Sequence, residues 1–492
     1  MSKGDGNVQG KVPKVVLDMN ILIISTNRNA HPMPVLPLGA CVVAESIERE
    51  GHSVRVLDLM FDADPLRALK SVLGKTEFDI IGLSVRNIDN IDMRAPRCFI
   101  NEIIPLIDTI RMFSDATLVL GGASLMVMPE EIMRATGVSC AVIGDGETIF
   151  PRLVDKLARE EPWENLPGVA SLVRGKFWTN AIASGLSQPC KGPDFGRWIN
   201  MKAYRSHLST IPVQTKLGCC FQCVYCTYPK IEGAEYRLSD PGSVAETTLR
   251  YASSGFGDIE FVDNVFNAPY DHALEVCESL IRSEHRARLQ SVDLNPVSFD
   301  HRLLSTMRRA GFVGIGLTVE SASDTVLEGL RKGFTAREVH ATAEVVKRNC
   351  IPCLWIFLLG GPGETQETVR ETLLFTEKFI RPQDAAFFNI GIRMYPGTEL
   401  ETLARRQGML TSPSGSMLTP VFYVSPDVET DWIMRQVKQS MNSHMNFMNS
   451  DSLSFPYLPQ ISRLGHRLGI KTPLWRYTGL IRRGLRSIGM RV

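Results

Sequence analysis

The sequence predicts an α/β protein of two parallel-sheet units in tandem: a doubly wound, Rossmann-like sheet, then a partial (β/α)6 TIM-like barrel, with a small, mostly helical C-terminal region. Three observations predict it. Short β-branched apolar runs alternate with helically spaced apolar residues from 19 to about 160 and again from 206 to 405, which is the pattern of strands joined by crossover helices. Between the two runs, "EEPWENLPG" and "LSQPCKGPDFG" break the periodicity with proline and glycine. A chain of 492 residues, 44% hydrophobic and 22% charged, is long enough to bury two or three cores.

Five segments follow: a flexible leader (1–18), the first sheet domain (19–160), a linker or small subdomain (161–205), the barrel (206–405) and a C-terminal region with a basic tail (406–492). "MNILIISTN" (19–27) reads as a buried strand, and "LGACVVAESIEREGHSVRVLDL" as a helix stopped by Gly51 and a second strand ending near Asp58. "FDIIGLSV" (78–85), "ATLVLGGAS" (116–124) and "CAVIGDGE" (140–147) supply the remaining strands. Ligands of such sheets sit beyond the carboxyl ends of the strands, here the loops "NRNAHPMPVLPLG", "SVRNIDN", "GGAS" and "GDGE". Gly121, Gly122, Gly144 and Gly146 in the last two either admit a bulky ligand close to the backbone or merely make tight turns. No GxGxxG follows the first strand, which argues against a dinucleotide. Barrel strands are expected near 212–216, 258–262, 290–294, 313–319, 354–359 and 386–393, with chemistry at their C-terminal rim.

Charge excludes some partners. Lys plus Arg (54) nearly equals Asp plus Glu (53), so no overall field recruits nucleic acid. The start lacks a signal-peptide pattern and no run of about 18 apolar residues occurs, which predicts a cytoplasmic protein. Its 11 cysteines are then thiols or metal ligands rather than a disulfide framework.

Four of them crowd into "KLGCCFQCVYCTYP" (216–229), right after the first barrel strand. The next CxxC, Cys350 to Cys353, lies far downstream at the entry to the fifth barrel strand and no paired histidines follow, so a zinc ribbon fits poorly. Cys219, Cys223 and Cys226 have the CxxxCxxC spacing that can wrap three irons of a [4Fe-4S] cubane and leave the fourth open. Cys220 reads as a spectator.

This loop, with the aromatic residue before its last cysteine, resembles the cluster loop of the radical S-adenosylmethionine superfamily. "IEFVDNVFN", "LTVESASDTVLEGLRKGFT", "IFLLGGPGETQETV" and "RMYPGTEL" resemble that superfamily's later strand ends, in order. "PVLPLGACVVAESIEREGHSVRVLDL", "DIIGLS", "LVLGGASLMVMPEEI" and "AVIGDGET" are similar to the cobalamin-binding domain that precedes the barrel in its cobalamin-dependent branch. The resemblance covers roughly residues 19 to 400. It implies a [4Fe-4S] cluster on Cys219, Cys223 and Cys226, and S-adenosylmethionine bound by Asp263, Asn264, Glu320, Ser321, Gly360, Gly361 and Gly363. Glu364 reads as the cap of the next helix. Cobalamin is implied at Leu38, Gly39, Ser84, Arg86, Asn87, Gly121, Gly122, Gly144, Gly146 and Glu147. The DxHxxG motif of histidine-ligated relatives is absent, and His31 and His52 fall in other loops; Arg86 or Asn87 is then expected near the lower cobalt face, unless Arg86 only pairs with a helix end.

The activity so implied is methyl transfer from S-adenosylmethionine through methylcobalamin to an unactivated carbon of a small-molecule, natural-product or lipid-like substrate, fed by an external low-potential electron donor. Alternatives are oxidative cyclisation or rearrangement without methyl transfer, and a non-catalytic cobalamin and cluster sensor. Tyr225, Tyr228 and Arg393 are candidate substrate contacts or supports. Cys350 and Cys353 read as core residues, and "SMNSHMNFMNS" as a packing face. From Ser462 onward the tail holds eight Lys or Arg and no acid. Leu474, Tyr477, Ile481, Leu485 and Ile488 share a helical face that suits either an anionic membrane surface or packing on the protein itself.

Overall fold

The structure, a computed structural model, describes residues 18–181, 191–410, 416–450 and 457–487; nearly all of the expected leader, and Ile488, lie outside the described residues. Five parallel strands open the chain: β1 (Asn20–Ser25), β2 (Ser53–Asp58), β3 (Ile80–Ser84), β4 (Thr117–Gly121) and β5 (Cys140–Val142). Alternate residues of β1 feed two different cores. Ile21 and Ile23 pack under the helices Leu38–Arg49 and Gly146–Ala158, whereas Leu22 and Ile24 pack under Pro65–Leu73 and Ile100–Phe113.

The expected linker at 161–205 is only partly one. β6 (Val169–Val173) and β7 (Lys176–Thr179) extend the first sheet as an antiparallel hairpin, giving the order β2-β1-β3-β4-β5-β6-β7. Its two-residue turn, Arg174 and Gly175, has both residues at positive φ, as such hairpins require. That turn was the signal to read; the surrounding prolines masked it.

The second unit contains β8 (Ile211–Val213), β9 (Lys216–Leu217), β10 (Arg237–Leu238), β11 (Asp258–Phe261), β12 (Arg288–Leu294), β13 (Phe312–Glu320), β14 (Cys353–Leu359), β15 (Ala385–Ile390), β16 (Ile392–Arg393), β17 (Phe422–Tyr423) and β18 (Phe447–Asn449). Seven of these form one parallel sheet in the order β18-β15-β14-β13-β12-β11-β8. All six expected barrel strands are present; β18 is a seventh that three residues of sequence did not reveal. β9–β10 and β16–β17 are short ribbons at the rim. The sheet stays open between β8 and β18.

The tail covers that opening. Helices Leu458–Arg467 and Thr478–Ser487 flank a 3-10 turn, Leu474–Tyr477. Thr472 donates to Asp258 (2.7 Å), and the Arg482 guanidinium donates to the carbonyls of Met441 and Phe447. Leu474, Tyr477, Ile481 and Leu485 line an internal cavity. Of the two alternatives for this face, packing on the protein itself is the one seen, because the open edges of the sheet offer it a large apolar partner. No helix among the described residues is long and apolar enough to cross a membrane. Met441 and Met448 are core residues, as expected of the methionine-rich stretch, and Cys353 is buried; Cys350 is exposed, a correction, because it precedes the strand.

Hydrogen-bonded pairs tie the two units together. Tyr204 donates to Asp58 (2.7 Å), Arg237 pairs with Asp145 (2.7 Å) and Arg393 pairs with Asp89 (2.8 Å). The carboxyl edges of both sheets thereby face one seam.

Candidate cofactor site

The four-cysteine loop leaves β9 through Gly218, whose φ is +89° and whose missing Cβ would lie 2.0 Å from the Glu235 carbonyl oxygen. Only glycine passes there. The loop is then pinned by Cys219 N–H to the Gly233 carbonyl (3.1 Å) and Val224 N–H to the Leu330 carbonyl (3.2 Å). Cys219, Cys223 and Cys226 lie within electrostatic reach of one another, and Cys220 is exposed beside Tyr236. Burial pushes the Cys226 thiol up to about 12 and raises Cys219 and Cys223; neighbouring cysteines raise Cys219 and Cys226 further, while the Lys332 ammonium draws Cys223 back down. One buried and two partly buried thiols without enough nearby positive charge suit a cationic metal centre, which deprotonates its ligands on binding. Three thiols on one loop fit a multi-iron cluster with one open iron.

Behind the loop lies a buried group of which sequence reading named Glu320 and Tyr225 and missed Lys332. Glu320, at φ +62° at the end of β13, accepts at Oε1 from Tyr225 Oη (2.8 Å) and Lys332 Nζ (3.2 Å). A left-handed carboxylate at a strand end is the kind of strain that clusters at functional sites. Oε2 has no protein partner among the described residues. Lys332 is held charged, against the cost of its burial, by Tyr225, Glu320 and Cys223. Its signal was the "RKG" that closes the helical pattern after the Glu320 strand.

Asp263 needs correction. Its carboxylate accepts from the Thr215 amide (2.7 Å) and hydroxyl (2.7 Å), the Lys216 amide (3.2 Å) and Lys216 Nζ (3.3 Å). Both side chains are inaccessible, so Asp263 staples β11 to the start of the cysteine loop and has no lone pair to offer a ligand. Asn264 donates to Glu232 Oε2 (2.7 Å) and the Gly218 carbonyl (3.4 Å), and its side-chain oxygen has no protein partner among the described residues. Glu232, not anticipated, also accepts from the Gly218 amide (3.2 Å); burial raises its carboxyl, and those two donors moderate the rise.

Ser321 is likewise turned away. Its fully buried hydroxyl lies 3.0 Å from that of Thr372, on the outer helix Gln366–Phe379. Gly360 and Gly363 have φ of +93° and +80°, and they and Gly361 let the turn after β14 pack against Val424, Thr325 and Leu330. Glu364 does not cap the helix; Thr365 does, in a capping box with Thr368. Glu364 is instead fully buried and holds the turn itself, accepting from the Gly360 amide (3.0 Å) and Thr368 Oγ1 (2.6 Å). Arg393 is no substrate contact: it is buried on Asp89 of the first unit.

Asp293 ends β12 beside a break in register between Ser291 and Leu294, a device that re-aims side chains. Packing around the carboxyl, with the Glu260, Asp263 and Glu320 carboxylates nearby, raises its pKa to about 8. It also lies within electrostatic reach of Tyr228 on the cysteine loop, as does Arg86 from across the seam.

On the facing edge, the ends of β3 and β4 carry Ser84 and Gly121, the loops beyond the strands carry Arg86, Asn87, Gly122 and Gly144, and the starts of the helices Leu38–Arg49 and Gly146–Ala158 carry Leu38, Gly39, Gly146 and Glu147. The strand order reverses between β1 and β3, which opens a crevice there. Gly39 and Gly121 have open space where a side chain would stand. Gly122 and Gly146 have a packing reason instead, against the Val85 backbone and the Val43 side chain. Arg28 Nε, His31 Nδ1 and Ser124 Oγ are buried at this edge without partners, as the rim of a large ring bearing polar substituents requires. Arg86 is exposed to the seam rather than paired with a helix end.

A model of the B12 binding domain matches residues 28–154, and one of the radical SAM superfamily matches residues 213–376. The chain carries a B12-binding domain followed by a radical SAM domain. It is 26% identical over 395 residues to an uncharacterized methyltransferase of Pyrococcus horikoshii, covering 78% of this chain and 82% of that one. It is 23% identical over 443 residues to the tryptophan 2-C-methyltransferase of Streptomyces laurentii, covering 76% and 73%, and 24% identical to the hopanoid C-3 methylase of Methylococcus capsulatus, covering 75% and 70%. Among solved structures, the radical S-adenosylmethionine methyltransferase TsrM of Kitasatospora setae, with cobalamin and a [4Fe-4S] cluster bound, superposes with a TM-score of 0.83 over 96% of this chain and all of that one, at 22% identity. That likeness establishes a shared fold.

Proposed function

We propose that this chain is a cobalamin-dependent radical SAM methyltransferase that places a methyl group from S-adenosylmethionine on an unactivated carbon of a small molecule. One juxtaposition carries the reading: a three-thiol loop and a crevice with unpartnered polar atoms face each other across a seam held by Arg237–Asp145 and Arg393–Asp89. When bound, the cluster supplies the electron for sulfonium chemistry and cobalamin carries the methyl group. Cys219, Cys223 and Cys226 hold the cluster, and an external low-potential donor reduces it. Asn264 Oδ1 and Glu320 Oε2 accept from the amino and ribose groups of S-adenosylmethionine, and the turn at Gly360, Gly361 and Gly363 passes close to its adenosine. Leu38, Gly39, Ser84, Arg86, Asn87, Gly121, Gly122, Gly144, Gly146 and Glu147 border cobalamin, with Arg86 or Asn87 toward the lower cobalt face.

Relatives named as methyltransferases, aligned over 75–78% of this chain, support this reading. Ring closure stands as the second reading, because anaerobic magnesium-protoporphyrin IX monomethyl ester cyclases of Cereibacter sphaeroides and Rubrivivax gelatinosus align over 52% and 72% of this chain. The test incubates the reconstituted chain with methyl-labelled S-adenosylmethionine and reads S-adenosylhomocysteine, 5′-deoxyadenosine and label on the corrinoid. Labelled corrinoid with S-adenosylhomocysteine is expected. 5′-Deoxyadenosine with an unlabelled corrinoid would replace methylation by cyclisation, and neither product would leave a sensor.

A further inference from the structure

The open edge of the barrel encloses a cavity of about 1380 Å³, larger than the roughly 300–1,000 Å³ of an ordinary small-molecule site. Its lining comes from both lips of the gap, with Leu208 beside β8 and Met448 on β18, from the barrel interior at Leu354 and Phe387, and from the tail at Ile481 and Leu485. At one end it reaches Met33 and Met93, on the loops of the B12-binding domain that border the seam. The cavity therefore reaches loops of the B12-binding domain and is mostly apolar along its length.

The other end is polar in a specific way. Gln290 Nε2 donates to Glu260 (2.9 Å), which leaves Gln290 Oε1 buried without a donor, and Trp475 Nε1 is buried without an acceptor. The two are neighbours. Gln290 pairs with Gly314 across β12 and β13, and the Trp475 ring lies 3.0 Å from where a Gly314 side chain would begin. One buried acceptor beside one buried donor is what a single hydroxyl satisfies, since it donates and accepts at the same oxygen. A purely apolar filling would leave both atoms uncompensated.

We propose that this cavity is the substrate site, and that the substrate is an elongated apolar molecule whose hydroxyl sits between Gln290 and Trp475 while the remote end of its hydrocarbon body reaches the seam. The assignment rests on the methyltransferase reading for what happens at that remote carbon, and the tail then acts as the wall that encloses the hydrocarbon. It deepens the reading by setting the distance, in the substrate, between the modified carbon and the polar group.

The test is equilibrium dialysis of the full-length chain, loaded with cluster and cobalamin, against tritiated geranylgeraniol, a C20 isoprenoid alcohol, kept below its aggregation threshold, with L-tryptophan as a compact competitor. One saturable site per chain is expected, untouched by tryptophan. Ile481→Trp, which fills the cavity from the tail, weakens it at least about tenfold, and Gln290→Leu weakens it by roughly 2- to 12-fold, the worth of one hydrogen bond; unchanged circular dichroism shows that both variants are folded. No saturable binding to the parent chain, displacement by tryptophan, or equal binding by Ile481→Trp would overturn the assignment. Dialysis reads occupancy without turnover. Binding without any labelled corrinoid sinks methylation and keeps the site; labelled corrinoid without binding sinks the site alone.

Discussion

Lys332 shows how little of a site's electrostatics is written next to the residue concerned. Its ammonium is buried on Glu320, so removing one partner strands the other charge. Lys332→Met is expected to cost about 3–5 kcal/mol in denaturant titrations, with much of it recovered in the double variant Lys332→Met/Glu320→Gln. Asp293 sets a pH dependence. Unfolded, its carboxyl ionises near 3.9; folded, it does so at about 8. Below the lower value both states are protonated and nothing is lost. As pH rises the unfolded chain ionises first, so folding weakens until about pH 8 and then levels off, by a few kcal/mol. Asp293→Asn should match the parent near pH 4 and exceed it in stability at pH 8, read by urea denaturation before S-adenosylmethionine is added; parallel pH profiles would refute the assignment. At this scale the three cysteines were legible because their spacing is local. Asp263 was misread because its partners, Thr215 and Lys216, lie almost 50 positions upstream and saturate it only in the fold.

Among elements, the cysteine loop depends on one backbone conformation. Gly218→Ala would drive a methyl group into the Glu235 carbonyl oxygen, in a region where L-residues are already strained. Iron and sulfide incorporation should fall severalfold relative to a Gly233→Ala control, whose position is open and has a similar φ of +95°. Equal iron content in both would mean that the loop tolerates a different path. Strands whose residues are buried on both faces announce themselves as apolar runs, so β1, β3, β13 and β14 were readable. β6, β7 and β18 were not: each is five residues or shorter, and each earns its place by pairing with an edge supplied from elsewhere. The tail's apolar stripe was legible as a stripe, but what it faces depends on the gap between β8 and β18.

For the whole molecule, the relation between the two sheets decides function. Arg393 and Asp89 are 304 positions apart yet form a buried ion pair between the units. Arg393→Met should destabilise the chain by about 3–5 kcal/mol and lower cobalamin retention after gel filtration, measured from the corrinoid absorption; full retention would show that the B12-binding domain keeps its ligand without the barrel. By itself the sequence determined two parallel-sheet units, their order, the four-cysteine loop and the loops that border the seam, because hydrophobic periodicity and cysteine spacing are short-range properties of a chain. Only the tertiary structure decided which carboxylates are spent on internal hydrogen bonds, where the tail's apolar face turns, and that a cavity runs along the open barrel edge to the seam. Those depend on which side chain reaches a buried polar atom first, a competition between groups tens to hundreds of residues apart that no local pattern records.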